Sequence, residues 1–222
     1  MIEHVYMRYG GGCMMLMERR GDSVGFVGTA FIVHPDGYLL TTAHILPENA
    51  RLVVSPRDLG DAFAPTELES VSSHPVRVIR VDETNDVALL ALEGDIGVGM
   101  PDHVVGEPES IAPGTAVACM GYPFGFHHVY NQCVLPGVVV TKISSARGVD
   151  LFVLNTFADE GLRGGPVVDA SDGRVIGVLG GRFHPGQLSR TGSDLPSPPG
   201  LSYALSITYG AALLEAEGAQ VV

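Results

Sequence analysis

Short apolar runs separated by turn residues are the feature that most constrains this chain. Residues 24–46 read VGFVGTAFIVHPDGYLLTTAHIL, where two strand-like runs flank a Pro-Asp-Gly turn at 35–37. Proline presets one turn dihedral and glycine adopts the left-handed one, so the segment predicts a β-hairpin. A second hairpin is predicted at 166–181, around the Ser-Asp-Gly turn at 171–173. Short runs of this kind favour an all-β fold.

The remaining strand-like segments fall into two groups. Further strands are predicted at 51–55, 76–82 and 86–94 in the first half, and at 116–123, 134–144, 151–157 and 201–207 in the second. Residues 95–114 lack periodicity and predict a linker, and the Pro-, Gly- and Ser-rich segment 182–200 predicts an exposed loop. The tail at 209–218 is the only convincing helix. We therefore predict two six-stranded antiparallel β-barrels, at 1–108 and 109–222, with a C-terminal helix.

Charge and cysteine content limit the partners and the compartment. The net charge of −12 repels phosphate backbones, so we expect no nucleic-acid partner and regard solubility as its ordinary role. No segment reaches the ~20 apolar residues of a membrane span, and the N-terminus does not resemble a signal peptide. Cys13, Cys119 and Cys133 form neither a disulfide framework nor a CxxC zinc motif, which favours a reducing compartment. These features predict a cytoplasmic chain with no membrane partner and no metal.

Three short strings suit acyl transfer by serine. TTAHIL places His44 at the end of a strand, TNDVALLAL places Asp86 at the start of another, and DEGLRGGPVVD forms a glycine-rich turn at 159–169. In such catalysis a histidine takes the hydroxyl proton, a carboxylate orients the histidine, and backbone amides hold the oxyanion. A lone histidine after a strand is more often a packed or surface residue. The three strings in this order are far more specific, and they predict that His44 and Asp86 meet.

The same strings resemble the HtrA family of trypsin-like serine proteases. GTAFIVHPDGYLLTTAHIL resembles the family's histidine segment, and NDVALLAL resembles its aspartate strand. CMGYPFGF, GLRGGPVVDASDGRVIGV and GLSYALSI resemble the turn after the linker, the nucleophile turn and the end of the protease domain. The resemblance covers roughly residues 24–215. It implies two chymotrypsin-like barrels with the active site in the cleft between them, and a peptide-bond hydrolase that uses neither a metal nor an organic cofactor.

The nucleophile turn departs from the family pattern. The family has glycine, any residue, serine, glycine, glycine and proline, whereas this chain has GLRGGP at 161–166, with Arg163 in place of the serine. No Ser, Thr or Cys lies between Thr156 and Ser171, so a shifted register cannot restore a nucleophile. The resemblance implies His44 as general base, Asp86 as its orienting residue, and the amides of Gly161 and Arg163 as an oxyanion hole. Because a guanidinium group is not a nucleophile, we expect no hydrolysis.

Three functions stay open for such a chain. The favoured hypothesis is an inactive homologue that binds a polypeptide in the cleft between its barrels. The second is an active endopeptidase, which requires that the natural residue at position 163 is serine and that Arg163 is an engineered change. The third is a scaffold that uses its outer surface. Arg163 is a natural loss of the nucleophile, which is favoured, an engineered inactivating change, or the source of a new activity such as carboxylate binding beside Asp86 and His44. In the simplest case its side chain points into solvent and only abolishes hydrolysis.

The strand after the nucleophile turn is the predicted substrate-binding wall. It comprises Val178, Leu179, Gly180 and Gly181, although the two glycines could equally just end a strand. The pair His127-His128 lacks the matching carboxylate or cysteine ligands of a metal site. Cys119 and Cys133 lie in apolar strand contexts, which predicts inert thiols.

Overall fold

The protein folds into two closed antiparallel β-barrels. The computed structural model describes residues 2–56, 63, 65–66, 72–94, 99–101, 103–188 and 199–220. The first barrel consists of β1 (Cys13–Arg20), β2 (Ser23–His34), β3 (Tyr38–Thr42), β4 (Arg51–Ser55), β5 (His74–Asp82) and β6 (Val87–Leu92). The second consists of β7 (Ala116–Gly121), β8 (Cys133–Ser144), β9 (Asp150–Leu154), β10 (Pro166–Asp169), β11 (Val175–Arg182) and β12 (Ser202–Ser206). The strand orders are β1-β2-β3-β6-β5-β4 and β10-β11-β12-β9-β8-β7. The predicted fold class is confirmed.

One helix lies near each end of the described chain, and a short helix follows β11. They are α1 (Ile2–Tyr9), α2 (Pro185–Leu188) and α3 (Ile207–Ala216). The C-terminal helix α3 was predicted, whereas α1 and α2 were not. Within the described ranges no helix is both long enough and apolar enough to cross a membrane.

Three hydrophobic cores hold the barrels together. One fills the first barrel and a second fills the other barrel. The third joins both barrels and includes Phe31 and Val33 from β2 as well as Ala118 and Met120 from β7. This shared core fixes the two barrels against each other, and so it fixes the cleft between them.

Strand β1 alternates between two of these cores. Cys13, Met15 and Met17 enter the shared core, whereas Met14 and Leu16 enter the core of the first barrel. Because both faces are buried, the strand has no polar alternation. It was not among the predicted strands.

The predicted linker is partly structured. Val104 is fully buried, and its carbonyl accepts the amide of Val175 at 2.8 Å. The Gly106 amide donates to the Val175 carbonyl at 2.8 Å, so residues 104–106 already join the second barrel. The last strand of the first barrel ends at Leu92 and the first strand of the second begins at Ala116, and the boundary at residue 108 stays a prediction. Of the predicted loop at 182–200, residues 189–198 lie outside the described part.

Helix α3 crosses from the second barrel to the first. It begins after Ser206, whose hydroxyl accepts the Thr208 amide at 3.4 Å. At the other end, Arg80 on β5 donates to the Ala216 carbonyl at 3.1 Å and forms an ion pair with Glu217. The helix therefore connects the last strand of one barrel to the wall of the other.

Candidate active site

His44 lies in a tight turn at the end of β3. Residues Ala43–Ile45 form a single 3-10 turn directly after the strand. The His44 amide donates to Oδ1 of Asp86 at 2.9 Å, and ring Nδ1 lies 2.7 Å from Oδ2 of the same carboxylate. The Ala43 amide also donates to the Asp86 carbonyl, at 3.1 Å. The predicted contact between the His44 and Asp86 side chains is confirmed.

Asp86 adopts a backbone conformation that aspartate tolerates better than most residues. Its φ is 57°, in the left-handed region. The loop before it is fixed by Asp82, whose Oδ1 accepts the amides of Thr84 at 3.1 Å and Asn85 at 3.0 Å. In the neutral imidazole, the tautomer that donates from Nδ1 to the carboxylate has its lone pair on Nε2. A general base requires this tautomer.

Two glycines in the turn before β10 leave no room for a side chain. A Cβ atom on Gly164 would lie 2.1 Å from Oγ1 of Thr41 and 2.2 Å from the carbonyl oxygen of Thr29. A Cβ atom on Gly165 would lie 2.1 Å from the carbonyl oxygen of Met120. The turn is therefore packed directly against strands of both barrels.

Thr29 on β2, which the sequence motifs do not single out, holds this turn from the first barrel. Its hydroxyl donates to the Gly161 carbonyl at 2.8 Å, and its amide donates to the Arg163 carbonyl at 2.9 Å. The side chain is fully buried. The one sequence signal for such a role is a hydroxyl residue inside an otherwise apolar strand.

The predicted oxyanion-hole residues lie in a closed turn. Residues Glu160–Leu162 form a 3-10 turn that is capped by Asp159, whose Oδ1 accepts the Glu160 amide at 2.6 Å. The Arg163 amide donates to the Glu160 carbonyl at 3.2 Å. This amide is committed within its own turn and cannot donate to a ligand in this conformation. The role predicted for the Arg163 amide requires the turn to open, and the oxyanion-hole role of the Gly161 and Arg163 amides stays a prediction.

The Arg163 side chain lies along β11. Its Nε is 3.2 Å from the position that a Cβ atom on Gly181 would occupy. Its Nη2 lies 3.6 Å from Oε1 of Glu160, and this is its only ion pair with a described residue. The Asp86 carboxylate pairs instead with His44. Arg163 and Arg182 both line a cavity of about 450 Å³.

A larger cavity of about 620 Å³ opens beside Asp86. Its walls come from residues 83–86 of the first barrel, and from the β8–β9 loop, β12 and the end of β11 in the second. Tyr203 lines it and packs over Gly180, where a Cβ atom would lie 2.2 Å from the ring. Burial raises the pKa of the Tyr203 hydroxyl, the Asp86 charge raises it further, and the Arg163 guanidinium opposes both. The Tyr203 hydroxyl therefore senses the charges of both Asp86 and Arg163.

The predicted substrate-binding residues of β11 do not share one environment. Val178 and Leu179 are fully buried, each in a hydrophobic core. Their side chains do not line a cleft, and a substrate-binding role for this pair stays a prediction. Gly180 packs under an aromatic ring and Gly181 lies against the Arg163 side chain. A substrate-binding role for these two glycines stays a prediction.

The histidine pair and the three cysteines were also examined in the sequence as candidates for metal binding or thiol chemistry. Nδ1 of His128 lies 3.0 Å from the hydroxyl of Tyr130. Cys13 and Cys119 are fully buried, and burial raises the pKa of the Cys119 thiol to about 12. Cys133 is partly buried, and burial raises its thiol pKa as well. All three thiols are therefore protonated at neutral pH.

The two barrels and the His–Asp pair between them define the architecture of a trypsin-like serine protease. Residues 28–178 match the trypsin-like peptidase domain. The chain belongs to the trypsin-like peptidase domain family, and its relatives are of the HtrA type.

Sequence relatives match this chain over part of their own length. A probable periplasmic serine endoprotease DegP-like protein of Ectopseudomonas mendocina (strain ymp) is 30% identical over 182 residues, which is 81% of this chain and 32% of the relative. Serine protease HTRA1 of Xenopus tropicalis is 32% identical over 158 residues, which is 68% of this chain and 30% of the relative. The chain thus spans about a third of the length of these relatives.

Solved structures of an HtrA-type protease share the fold. AlgW with a decapeptide superimposes with a TM-score of 0.73 and 20% identity, covering 100% of this chain and 69% of that one. AlgW with a tripeptide gives a TM-score of 0.73 and 21% identity, covering 97% and 63%.

Proposed function

We propose that this chain is a non-hydrolysing HtrA-type homologue that binds peptides in the cleft between its barrels. The observation that carries the proposal is residue 163. An arginine stands at the position that resembles the family's serine, and its amide is bonded to the Glu160 carbonyl. The guanidinium stays protonated and cannot attack a carbonyl carbon. His44 is then an oriented base without the serine hydroxyl that the family pattern places at position 163.

Two separate losses of rate support inactivity. Removal of the nucleophile from a serine-protease triad lowers turnover by about 10⁶. Loss of one oxyanion-hole donor lowers it by about 10²–10³. In the closed turn the Arg163 amide is not available, so the second loss applies together with the first.

The larger cavity supports peptide binding. It measures about 620 Å³, and both barrels contribute to its walls. A concave site between two structural units is typical of ligand binding. AlgW, which shares the fold, is described with a tripeptide and with a decapeptide. A cleft of this kind without a nucleophile would hold a peptide segment and leave it intact.

Peptide retention without cleavage tests this proposal. Fluorescein-labelled decapeptides derived from casein are titrated with the protein, and binding is followed by fluorescence anisotropy. After long incubation, mass spectrometry compares the recovered peptides with the input. A fluorophosphonate probe is applied in parallel. We expect binding, intact peptides and no covalent adduct. Cleaved peptides or a labelled serine would contradict inactivity, and unchanged anisotropy would contradict peptide binding.

A matched pair of variants locates the bound peptide. Ala146 is exposed and lines the larger cavity, so Ala146→Trp should fill it and weaken binding about tenfold or more. Ala112 is exposed in a turn that does not line this cavity, and Ala112→Trp should bind like the parent. Equal affinities for both variants would move the peptide to another surface and favour the scaffold hypothesis.

We also propose that the chain resides in the cytoplasm. The proposal rests on three cysteines that form no disulfide. The DegP-like relative is named as periplasmic, so the location needs direct measurement. Fractionation of the native cells, followed by immunodetection, should find the chain with cytoplasmic markers. Its recovery with periplasmic markers would overturn this proposal.

A further inference from the structure

We propose that the cavity beside Arg163 is a receptor for a peptide carboxylate, with the guanidinium groups of Arg163 and Arg182 as its cationic contacts. The inference rests on the peptide binding proposed above, and it names a chemical group of the peptide that a second cavity, which shares Arg182 with the larger one, would recognise. Both arginines line the same cavity of about 450 Å³, next to the turn that resembles the nucleophile turn. The substitution that removes the nucleophile therefore also supplies an anion-binding group.

The Arg163 guanidinium has hydrogen-bond donors that its weak ion pair with Glu160 does not use. Its side chain is one-third exposed, and it lies against Gly181. Its distance to the Glu160 carboxylate is 3.6 Å, well beyond the ~2.7–2.9 Å of a charge-assisted hydrogen bond. The Glu160 side chain is itself two-thirds exposed, so this ion pair is weak. A better-placed carboxylate would compete successfully for Arg163.

Arg182 supplies the second cation. It follows Gly181 at the end of β11, is exposed, and lines both this cavity and the larger one beside Asp86. Its side chain forms no ion pair or hydrogen bond with any residue that the structure describes. Each guanidinium presents a planar set of donors that matches the two oxygens of a carboxylate. Two such groups on one cavity favour a carboxylate over a neutral ligand.

Two acidic residues line the same cavity, and their carboxylates could compete with a ligand carboxylate for the arginines. The Asp159 carboxylate accepts the Glu160 amide at 2.6 Å, so it is engaged in capping the turn. Glu160 is the competing ligand for Arg163. We therefore expect Glu160→Gln to strengthen carboxylate binding, because it removes both the competitor and a repulsive charge. The net charge of the rest of the chain matters less, since salt screens charges beyond about 10 Å.

Three forms of one probe peptide test the inference and distinguish the two sources of a carboxylate. The probe is a fluorescein-labelled pentapeptide of alanine and leucine. One form ends in a free carboxylate, a second ends in an amide, and a third ends in an amidated glutamate. At least one carboxylate form should bind about 10- to 100-fold more tightly than the neutral amide. The form that gains affinity identifies the chain terminus or the acidic side chain as the recognised group.

Charge-matched variants test whether the preference for a carboxylate depends on the residues of this cavity. Arg163→Gln and Arg182→Gln should each reduce the preference for the carboxylate, and Glu160→Gln should increase it. Arg174 lies in the β10–β11 turn, outside this cavity, so Arg174→Gln controls for the loss of one positive charge. It should retain the full preference.

The outcomes separate this inference from the proposed function. Equal binding of the acid and amide forms would overturn carboxylate recognition while leaving peptide binding in place. If no form of the peptide binds, N-acetylglycine is titrated against protein whose arginine Nε–H signals are followed by NMR. Saturable shifts of the Arg163 and Arg182 signals would support the receptor without the peptide-binding cleft. Unshifted signals would overturn both.

Discussion

Thr29 is the residue through which the first barrel holds the turn at 159–165. Its hydroxyl donates to the Gly161 carbonyl at 2.8 Å and accepts the Tyr122 amide at 3.3 Å. Its own amide binds the Arg163 carbonyl, and its own carbonyl accepts the hydroxyl of Thr41 at 2.7 Å. All these bonds are buried, so the loss of one partner leaves a polar group without compensation from water.

Replacement of Thr29 by valine should destabilise the protein. Valine keeps the shape and the β-propensity but removes the donor to the buried Gly161 carbonyl, so the free energy of unfolding should fall by about 1–3 kcal/mol. Urea denaturation measures the change. The Thr141 hydroxyl makes only a 3.4 Å contact with the Lys142 carbonyl, so Thr141→Val should stay within about 0.5 kcal/mol of the parent. Equal effects of the two substitutions would refute the role assigned to Thr29.

Among the individual residues of the site, the sequence predicted those that lie in short, recognisable sequence motifs. His44 and Asp86 each sit in a recognisable strand context, and they meet as expected. Thr29 and its bond to Gly161 were not predicted, because the two residues are 132 positions apart. The bond from the Arg163 amide to Glu160 was not predicted either, since it depends on the orientation of one peptide group.

Helix α3 is the element that ties the second barrel to the first. Gly210 is buried against β3, and a Cβ atom there would lie 2.3 Å from Cδ1 of Leu40 and 3.3 Å from its Cγ. Leu40 is itself fully buried. The glycine is therefore required by the close approach of the helix to the barrel and not by its backbone conformation.

Gly210→Ala should destabilise the protein although alanine is the better helix former. The gain in helix propensity is at most about 1 kcal/mol, whereas overpacking of a core costs about 1–3 kcal/mol. We expect a net loss of about 1 kcal/mol in the free energy of unfolding. Ala212 is exposed on the same helix, and Ala212→Gly reports the propensity term alone. If Gly210→Ala raised the free energy of unfolding by as much as Ala212→Gly lowered it, the helix would not pack tightly at Gly210.

The strands were predicted with one exception, including several that are buried on both faces, such as β6, β10 and β11. The hairpin β2–β3 and strands β4 to β12 all lie within a few residues of their predicted positions. Strand β1 was missed because its sequence, CMMLMERR, contains none of the β-branched or aromatic residues that are typical of strands. Helix α1 packs on the second barrel, which its local sequence does not encode.

Across the whole molecule, burial of weak acids links stability to pH. Burial raises the pKa of the Cys119 thiol from 9.0 to about 12, and it raises those of Cys13, Tyr9 and Tyr203 as well. These groups release their protons at lower pH in the unfolded chain than in the folded one. Their contribution to stability is therefore fully present below about pH 9 and is lost as the pH rises towards the folded values.

The free energy of unfolding should accordingly fall in alkaline solution. Cys119 alone contributes a slope of up to about 1.4 kcal/mol per pH unit above pH 9. Urea denaturation in the presence of a reductant, from about pH 8 to about pH 10.5, measures the slope. Cys119→Ala should make it shallower. Stability that is constant or rising over this range would contradict the burial of these groups.

The most direct test of the whole account is the hydrolysis of unfolded casein by the Arg163→Ser protein, compared with the Arg163→Ser, His44→Ala double variant and with the unmodified chain. The account predicts no cleavage by the unmodified chain and weak cleavage by Arg163→Ser that depends on His44. The activity should be weak because the turn must open before the amide of residue 163 can leave the Glu160 carbonyl, and a missing oxyanion donor costs about 10²–10³ in rate. Cleavage by the unmodified chain would contradict the account. Equal activity of the single and double variants would contradict it as well, because residue 163 would then not stand where His44 can activate a nucleophile.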